Sequence, residues 1–231
     1  MINKFPIVRK GMLKNLQCRL ICLSANEIES IENEAFDNLP NVKTIELLNN
    51  NLIHLNPKSF LQTPQLKTLD VSRNRIKFIE KESFAFFERN CPRIVLEFNE
   101  ISKVDKGVFD GMTVQNATLL WNDNFIEWLP EEIFDGHTFI YVNLTNNPFK
   151  HYSNKFCEKN CTILIFQIES EHLGAETTEN VTIWAENKNI ETQLNDSIRD
   201  KIIEELCSGS GNNSYNSDIL VLALCLTWLM M

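Results

Sequence analysis

Apolar and polar residues recur along the chain with a period of about two dozen positions. Six asparagines mark the period at spacings of 24, 24, 25, 25 and 23 residues: Asn26, Asn50, Asn74, Asn99, Asn124 and Asn147. Apolar side chains stand five and three positions before each of them, as Ile45 and Leu47 do before Asn50. Such alternation suits a strand with one buried face, so each period predicts a short strand and the stacked periods predict a parallel sheet.

Two further sets of residues keep the same phase. Apolar residues two and five positions after each asparagine, such as Leu52 and Leu55, predict that the chain turns back inward. Ten positions after the first five asparagines comes a phenylalanine: Phe36, Phe60, Phe84, Phe109 and Phe134. A buried Asn amide can satisfy backbone groups on its own coil and on the next. We therefore predict a solenoid with an internal asparagine ladder and a stacked phenylalanine column.

The period resembles the typical 24-residue leucine-rich repeat of extracellular proteins, LxxLxLxxNxLxxLxxxxFxxLxx. Residues 42–65 read VKTIELLNNNLIHLNPKSFLQTPQ, and the resemblance covers about six repeats over residues 18–148. It departs from the pattern at Asn116, where an inward apolar residue is expected. The resemblance implies a curved, right-handed leucine-rich-repeat solenoid with short parallel strands on the concave face and a mostly irregular or 3-10 convex side.

The first 17 residues are interpreted as a truncated partial repeat. Ile7 and Met12 stand at the offsets that Ile31 and Phe36 occupy in the next period, but no strand precedes them. Residues 1–14 contain no apolar run of signal-peptide length. We expect that the natural protein begins further upstream.

Residues 149–207 resemble the cysteine-flanked C-terminal cap of extracellular leucine-rich-repeat proteins, with Pro148-Phe149 as its opening. Instead of the usual Cys-x-Cys pair the chain has Cys157 and Cys161, and Cys207 follows. We expect a bridge from Cys157 or Cys161 to Cys207, with the connectivity open. Apolar residues recur every four positions over 190–206 and predict an amphipathic helix.

Three other cysteines lie within the repeats. Cys18 and Cys91 fall at inward positions, so we expect both to be small buried hydrophobes. Cys22 falls on the outward face of its strand and is either a free thiol or the partner of an absent cap.

Residues 208–231 have the layout of a glycosylphosphatidylinositol signal. Small residues at 208–210 precede a polar spacer over 211–218 and an apolar tail over 219–231. The tail is shorter than the roughly 20 residues that a spanning helix needs. We predict lipid attachment at Ser208; a tail-anchored segment and an ordinary hydrophobic C terminus are the alternatives.

Six Asn-x-Ser/Thr sequons are consistent with export: Asn116, Asn143, Asn160, Asn180, Asn195 and Asn212. We expect glycans at Asn180 and Asn195 in the cap. Asn143 lies between Val142 and Leu144 and should point outward on its strand, where a sugar would block one end of the concave face.

Charge and motifs exclude several function classes. The net charge of −9 argues against nucleic acid as a partner. The four histidines have no partner at ligand or triad spacing, and there is no GxSxG, HExxH or phosphate-binding glycine loop. We expect neither catalysis nor a metal or cofactor.

A solenoid of this kind binds through the outward side chains of its strands. The predicted ligand-binding residues are Glu46, Leu48, Asp70, Arg73, Arg93, Val95, Phe98 and Leu120. The predicted function is protein recognition or adhesion at the cell surface, in a layout similar to adhesion proteins of the connectin and chaoptin type. A soluble secreted pattern-recognition or ligand-sequestering factor and an intracellular scaffold are the alternatives.

Overall fold

The structure is a computed structural model that describes residues 5–150 and 155–168, together with Glu204 and Cys207. The chain divides into two compact units, Met1–Leu194 and Asn195–Met231. Glu204 and Cys207 have helical conformation. The predicted helix over 190–206 otherwise lies outside the described residues, as do the sequons Asn180 and Asn195, Ser208 and the apolar tail.

Eleven strands occur in the described residues, seven of them in one parallel sheet. In chain order they are β1 (Ile7–Val8), β2 (Leu20–Cys22), β3 (Ser30–Ile31), β4 (Thr44–Glu46), β5 (Thr68–Asp70), β6 (Phe78–Ile79), β7 (Arg93–Val95), β8 (Lys103–Val104), β9 (Ala117–Leu120), β10 (Thr138–Asn143) and β11 (Thr162–Gln167). The sheet has the order β11-β10-β9-β7-β5-β4-β2, while β1 pairs with β3 and β6 with β8. The convex side of the described coils is mostly irregular, with a 3-10 turn at Pro57–Ser59. This is the predicted leucine-rich-repeat solenoid.

Strand register places the inward residues one above another. Ile45 pairs with Leu69, Leu69 with Ile94, and Ile94 with Leu119, and all four side chains are fully buried. The residue before each ladder asparagine has a left-handed φ of 53 to 58° in all six repeats: Ala25, Asn49, Arg73, Phe98, Asp123 and Asn146. The strand therefore ends at the same point in each coil, and the ladder asparagine turns inward there.

The asparagine ladder is present and joins neighbouring coils. The side-chain amide of Asn99 donates to the carbonyl of Leu96 in its own coil and to that of Val71 in the preceding coil, both at 3.0 Å. Its oxygen accepts from the backbone N–H of Ile76, also in the preceding coil, at 3.0 Å. The same bonds recur at Asn50, Asn74, Asn124 and Asn147. Each amide thus satisfies buried backbone groups of two coils.

The five predicted phenylalanines are fully buried or nearly so. Phe36 stacks on Phe60 at 5.1 Å between ring centroids, and Phe109 lies 5.7 Å from Phe84 and 6.0 Å from Phe134. A residue outside the predicted set, Phe86, lies against Phe60 at 4.9 Å. The column is therefore built from more rings than the repeat pattern indicated.

The sheet continues beyond the last predicted repeat, because β11 pairs in parallel with β10. Phe166 of β11 pairs with Val142 and is fully buried. This strand was not predicted, because the ladder asparagine defines each predicted repeat and the position five residues after Phe166 is Glu171.

At the other end, β1 pairs with β3 and forms the convex half of a coil. Two details of the prediction are wrong there. Val8, not Ile7, lies opposite Ile31, and Met12 is 50% exposed whereas Phe36 is fully buried. The register is displaced by one residue, and Leu13 is the side chain that packs against the core.

The predicted disulfide between Cys207 and Cys157 or Cys161 is wrong. Cys157 and Cys161 are bonded to each other, with Cα atoms 5.3 Å apart, and Cys207 is itself disulfide-bonded. Cys91 is also disulfide-bonded and only partly buried, so its interpretation as a small buried hydrophobe is wrong as well.

The two remaining described cysteines carry free thiols. Cys18 is partly buried and packs against the core, and Cys22 is exposed on β2. Cys22 thus has no disulfide partner among the described residues, and both alternatives for it stay predictions.

Candidate protein-binding face

The outward residues of the sheet form columns, because the strands are parallel and in register. One column runs through Thr44, Thr68, Arg93 and Thr118, and the next through Glu46, Asp70, Val95 and Leu120. We call these two columns, together with the residues that follow them, the concave face. The residues two positions after the strands are Leu48, Ser72, Glu97 and Asn122. Those that directly precede the ladder asparagines are Arg73, Phe98 and Asp123.

Six of the eight predicted ligand-binding residues have solvent-accessible side chains. Arg73, Arg93 and Phe98 are exposed, and Glu46, Leu48 and Asp70 are partly buried. A protein that approached this face would meet guanidinium groups, carboxylates and one phenyl ring.

Val95 and Leu120 were predicted as exposed apolar contacts, and that prediction is wrong. They are 5% and 6% exposed. The two residues are direct neighbours in the register of β7 and β9, so each side chain covers the other. In the adjacent column Thr118 and Tyr141 are also direct neighbours and cover each other, at 3% and 1% exposure. The apolar part of the predicted site is therefore largely withdrawn from solvent.

Arg73 and Phe98 form the main contact between exposed side chains of this face. The guanidinium carbon of Arg73 lies 4.3 Å from the ring centroid of Phe98, within the range of a cation–π interaction. Phe98 is 42% exposed. Arginine and aromatic side chains are enriched among the residues that dominate binding energy at protein interfaces.

Carboxylates surround the middle of the face. Burial raises the pKa of Glu97 above its ordinary value; Arg93 acts in the opposite direction, and the carboxylates of Asp70 and Asp123 raise it further. Asp70 is held by the backbone N–H and hydroxyl of Ser72, at 2.9 and 2.6 Å. The face thus keeps acidic groups close together, and a bound cationic group would relieve their repulsion.

The side chain of Asn143 is engaged within the face. Its Nδ2 donates to Oδ1 of Asn122 at 3.2 Å, and its Oδ1 accepts from the N–H and hydroxyl of Thr145, at 3.1 and 2.9 Å. A glycan attached to this nitrogen would replace one of its two N–H groups, so the contact with Asn122 would then depend on the other one. Glycosylation of Asn143 stays a prediction.

Two exposed aromatic residues next to the concave face were not predicted. Phe125 and Trp128 are 57% and 47% exposed and stand one and four positions after Asn124. The equivalent residues of the second repeat are Asn51 and His54. A phenylalanine one position after the ladder asparagine, where the first four repeats have a polar residue, is the sequence signal that could have identified this pair.

Comparisons with known proteins agree with this architecture. The family model described as "Leucine rich repeat" matches residues 19–76 and 49–89. No curated protein sequence matches the chain. The family match and the fold agree: residues 19–89 match the leucine-rich-repeat model, and the described coils form a leucine-rich-repeat solenoid.

Solved structures with a similar fold include two receptor complexes. TLR13, in the crystal structure of a TLR13–ssRNA13 complex, is 22% identical over 74% of this chain and 25% of its own length, with a TM-score of 0.66. The Toll–Spatzle complex of Drosophila is 18% identical over 65% of this chain and 22% of that one, with a TM-score of 0.53. The chain thus spans about a quarter of the length of the proteins it matches, and the likeness concerns the fold alone.

One of these neighbours was solved with a bound RNA. The exclusion of nucleic acid, which was based on net charge, therefore gains no support from the comparisons. Among the residues that the structure describes, no helix is both long and apolar enough to cross a membrane.

Proposed function

We propose that the chain is a recognition or adhesion module of the cell surface that binds a protein ligand through its concave face. The observation that carries the proposal is the Arg73–Phe98 pair, which is solvent-exposed in the middle of a stacked parallel sheet. Neither side chain is needed by the core. Leucine-rich-repeat solenoids typically serve as binding scaffolds, and the wide strand face is where they present variable side chains.

The Cys157–Cys161 disulfide favours an oxidising compartment over an intracellular scaffold. Lipid attachment at Ser208 and glycans at Asn180 and Asn195 belong to the same proposal, and they rest on the sequence pattern of residues 180–231. A secreted factor without an anchor is the second candidate, because it shares the disulfide and the binding face.

Expression of the full chain behind a heterologous signal peptide tests its location. We expect antibody staining at the surface of intact cells, loss of that staining after phosphatidylinositol-specific phospholipase C, and a faster-migrating band after peptide N-glycosidase. Free secretion without a phospholipase-sensitive pool favours the second candidate. A chain that stays inside the cell with reduced cysteines contradicts both.

Cell mixing tests the binding face. Labelled cells that express the chain are mixed with unlabelled cells of several types, and the adhering pairs are counted. We expect Arg93→Ala with Phe98→Ala to reduce adhesion at unchanged surface expression. Leu61→Ala is the matched control, because Leu61 is 56% exposed and lies outside the concave face. Equal adhesion of the concave-face variant and the control contradicts binding through this face.

A further inference from the structure

Three exposed aromatic side chains lie on two consecutive coils, where the concave face passes into the irregular segment after the ladder asparagine. They are Phe98, Phe125 and Trp128, at 42%, 57% and 47% exposure. The backbone N–H of Phe98 bonds to the carbonyl of Asn122 at 3.3 Å, and that of Phe125 to the carbonyl of Ile101 at 2.8 Å. The three rings therefore belong to directly hydrogen-bonded coils. We call them the aromatic edge.

The fold does not require aromatic residues at these positions. The inward residues of the same segment, Ile126 and Leu129, are 0% and 4% exposed and fill the core without help from Phe125 and Trp128. Isolated exposed apolar residues are ordinary on protein surfaces, but a group of neighbouring aromatic residues marks an interaction site. Aromatic rings also bury large areas with few rotatable bonds, which favours them at interfaces.

Two arginines of the coil that precedes Phe98 have no acidic partner in the part of the chain that the structure describes. Arg73 lies over the Phe98 ring, and Arg75 is exposed two residues further on; no described carboxylate lies within 4.0 Å of either guanidinium. These two cations are available to a ligand.

The carboxylates of the same region are already engaged. Glu100 pairs with Lys77 at 3.6 Å, and Glu127 with Lys150 at 2.6 Å. Asp123 accepts a hydrogen bond from Asn146 at 2.9 Å. Two of the three carboxylates are therefore paired with lysines and Asp123 keeps its charge, whereas Arg73 and Arg75 have no described carboxylate within 4.0 Å.

From these observations we propose that the aromatic edge docks a protein segment that carries both carboxylates and apolar side chains. Its carboxylates pair with Arg73 and Arg75, and its apolar side chains pack on the rings of Phe98, Phe125 and Trp128. The inference rests on the proposed protein-binding function and extends the contact surface from Arg73 and Phe98 of the concave face onto Arg75, Phe125 and Trp128, which that face does not include.

Single-stranded RNA is the competing occupant, because bases stack on aromatic rings and phosphates bind arginine. Glu100, Asp123 and Glu127 alternate with the aromatic residues along these two coils. Asp123 forms no ion pair among the described residues and would repel a continuous row of phosphates, whereas a protein can place its carboxylates at the two arginines alone. The charge pattern therefore favours a protein segment.

A displayed library of random peptides, selected on the full chain, tests the proposal. Enriched peptides are synthesised and titrated against the wild type and against Phe125→Ser with Trp128→Ser. Ile53→Ser with Leu61→Ser is the matched control, since those two residues are 49% and 56% exposed on another coil. A labelled oligouridine is titrated in parallel. Circular dichroism and thermal unfolding establish that each variant is folded.

We expect acidic peptides with apolar residues to be enriched and to lose affinity at least about tenfold on the Phe125/Trp128 variant. On the control variant the loss should stay within about twofold. Enrichment of basic peptides overturns the proposal, as does a selection that yields no peptide dependent on Phe125 and Trp128. Oligouridine binding that depends on these residues, without peptide binding, assigns the edge to nucleic acid and also overturns it. Arg93→Ala is titrated as a further variant: peptides that lose affinity on it, but not on the Phe125/Trp128 variant, leave the proposed concave-face function intact and refute the aromatic edge.

Discussion

The side-chain oxygen of Asn74 accepts a hydrogen bond from the backbone N–H of Leu52, which lies in the preceding coil, at 2.9 Å. The amide nitrogen of the same residue donates to the carbonyls of Leu47 and Val71, at 3.0 and 2.9 Å. One side chain thus satisfies backbone groups of two coils where water has no access. The stability of each coil depends on its neighbour for this reason.

Asn74→Ala should lower the free energy of unfolding by about 3 kcal/mol or more, because it leaves several buried backbone groups without partners at about 1–3 kcal/mol each. Urea unfolding followed by circular dichroism measures the change. Asn26→Ala is the control: Asn26 is partly buried, and its described bonds go only to Leu23 and Ser24 of its own coil. Its loss should be about 1 kcal/mol. Equal effects at the two positions would show that the bonds between coils add nothing.

Phe84→Ala should destabilise the solenoid by about 3–5 kcal/mol, because it removes a fully buried ring and leaves a cavity. Phe84 also contacts Trp121 and Phe109, at 6.1 and 5.7 Å between ring centroids, so its loss affects two coils. Phe125→Ala deletes the same atoms from a side chain that is 57% exposed and should change stability by about 0.5 kcal/mol or less. Thermal unfolding of both variants provides the comparison, and a stable Phe84→Ala protein is incompatible with the column.

The asparagine ladder and the inward strand residues could be predicted because each coil meets the same constraints at nearly the same spacing. A buried turn needs an amide with both donors and an acceptor, so asparagine recurs. Strand β11 could not be predicted in this way, because Glu171 occupies the sequence position at which its ladder asparagine would stand. Ile163 and Phe166 are nevertheless buried as in the other strands.

The candidate binding face was harder to predict than the core. Alternation correctly places Val95 and Leu120 on the outer side of the sheet, but their exposure depends on what stands beside them in the next strand. Pairing of cysteines likewise depends on distances that sequence order does not supply. Phe125 and Trp128 lie outside the strands, so the alternation of inward and outward strand positions does not predict their exposure.

Glu97→Gln should stabilise the protein at neutral pH relative to the wild type. Burial raises the pKa of Glu97 above 4.5, so between pH 4.5 and that higher value the folded chain holds more protons than the unfolded chain. The wild type therefore loses stability as the pH rises through this range, and the Gln variant does not. We expect the difference in Tm, variant minus wild type, to be more positive at about pH 7 than at about pH 4. A difference that is constant with pH would contradict the raised pKa.

Non-reducing peptide mapping should recover Cys157 and Cys161 joined to each other. The bridge closes a loop with a sequence separation of 4, so replacing both cysteines by serine should cost only about 2 kcal/mol. The loop is also held by Asp135, whose carboxylate accepts from the backbone N–H of Glu158 and Lys159, at 2.6 and 3.0 Å. A peptide that links either cysteine to Cys207 would overturn this connectivity.

The left-handed backbone before each ladder asparagine has a consequence for protein engineering. Asparagine and aspartate tolerate this conformation well, and they occupy it at Asn49, Asp123 and Asn146. Phe98 and Arg73 adopt it too, although bulky side chains disfavour a left-handed φ. Phe98→Asn should therefore give a more heat-resistant protein that has lost the Arg73–Phe98 contact, so a consensus-based thermostabilised version of this solenoid would bind the proposed ligand less well.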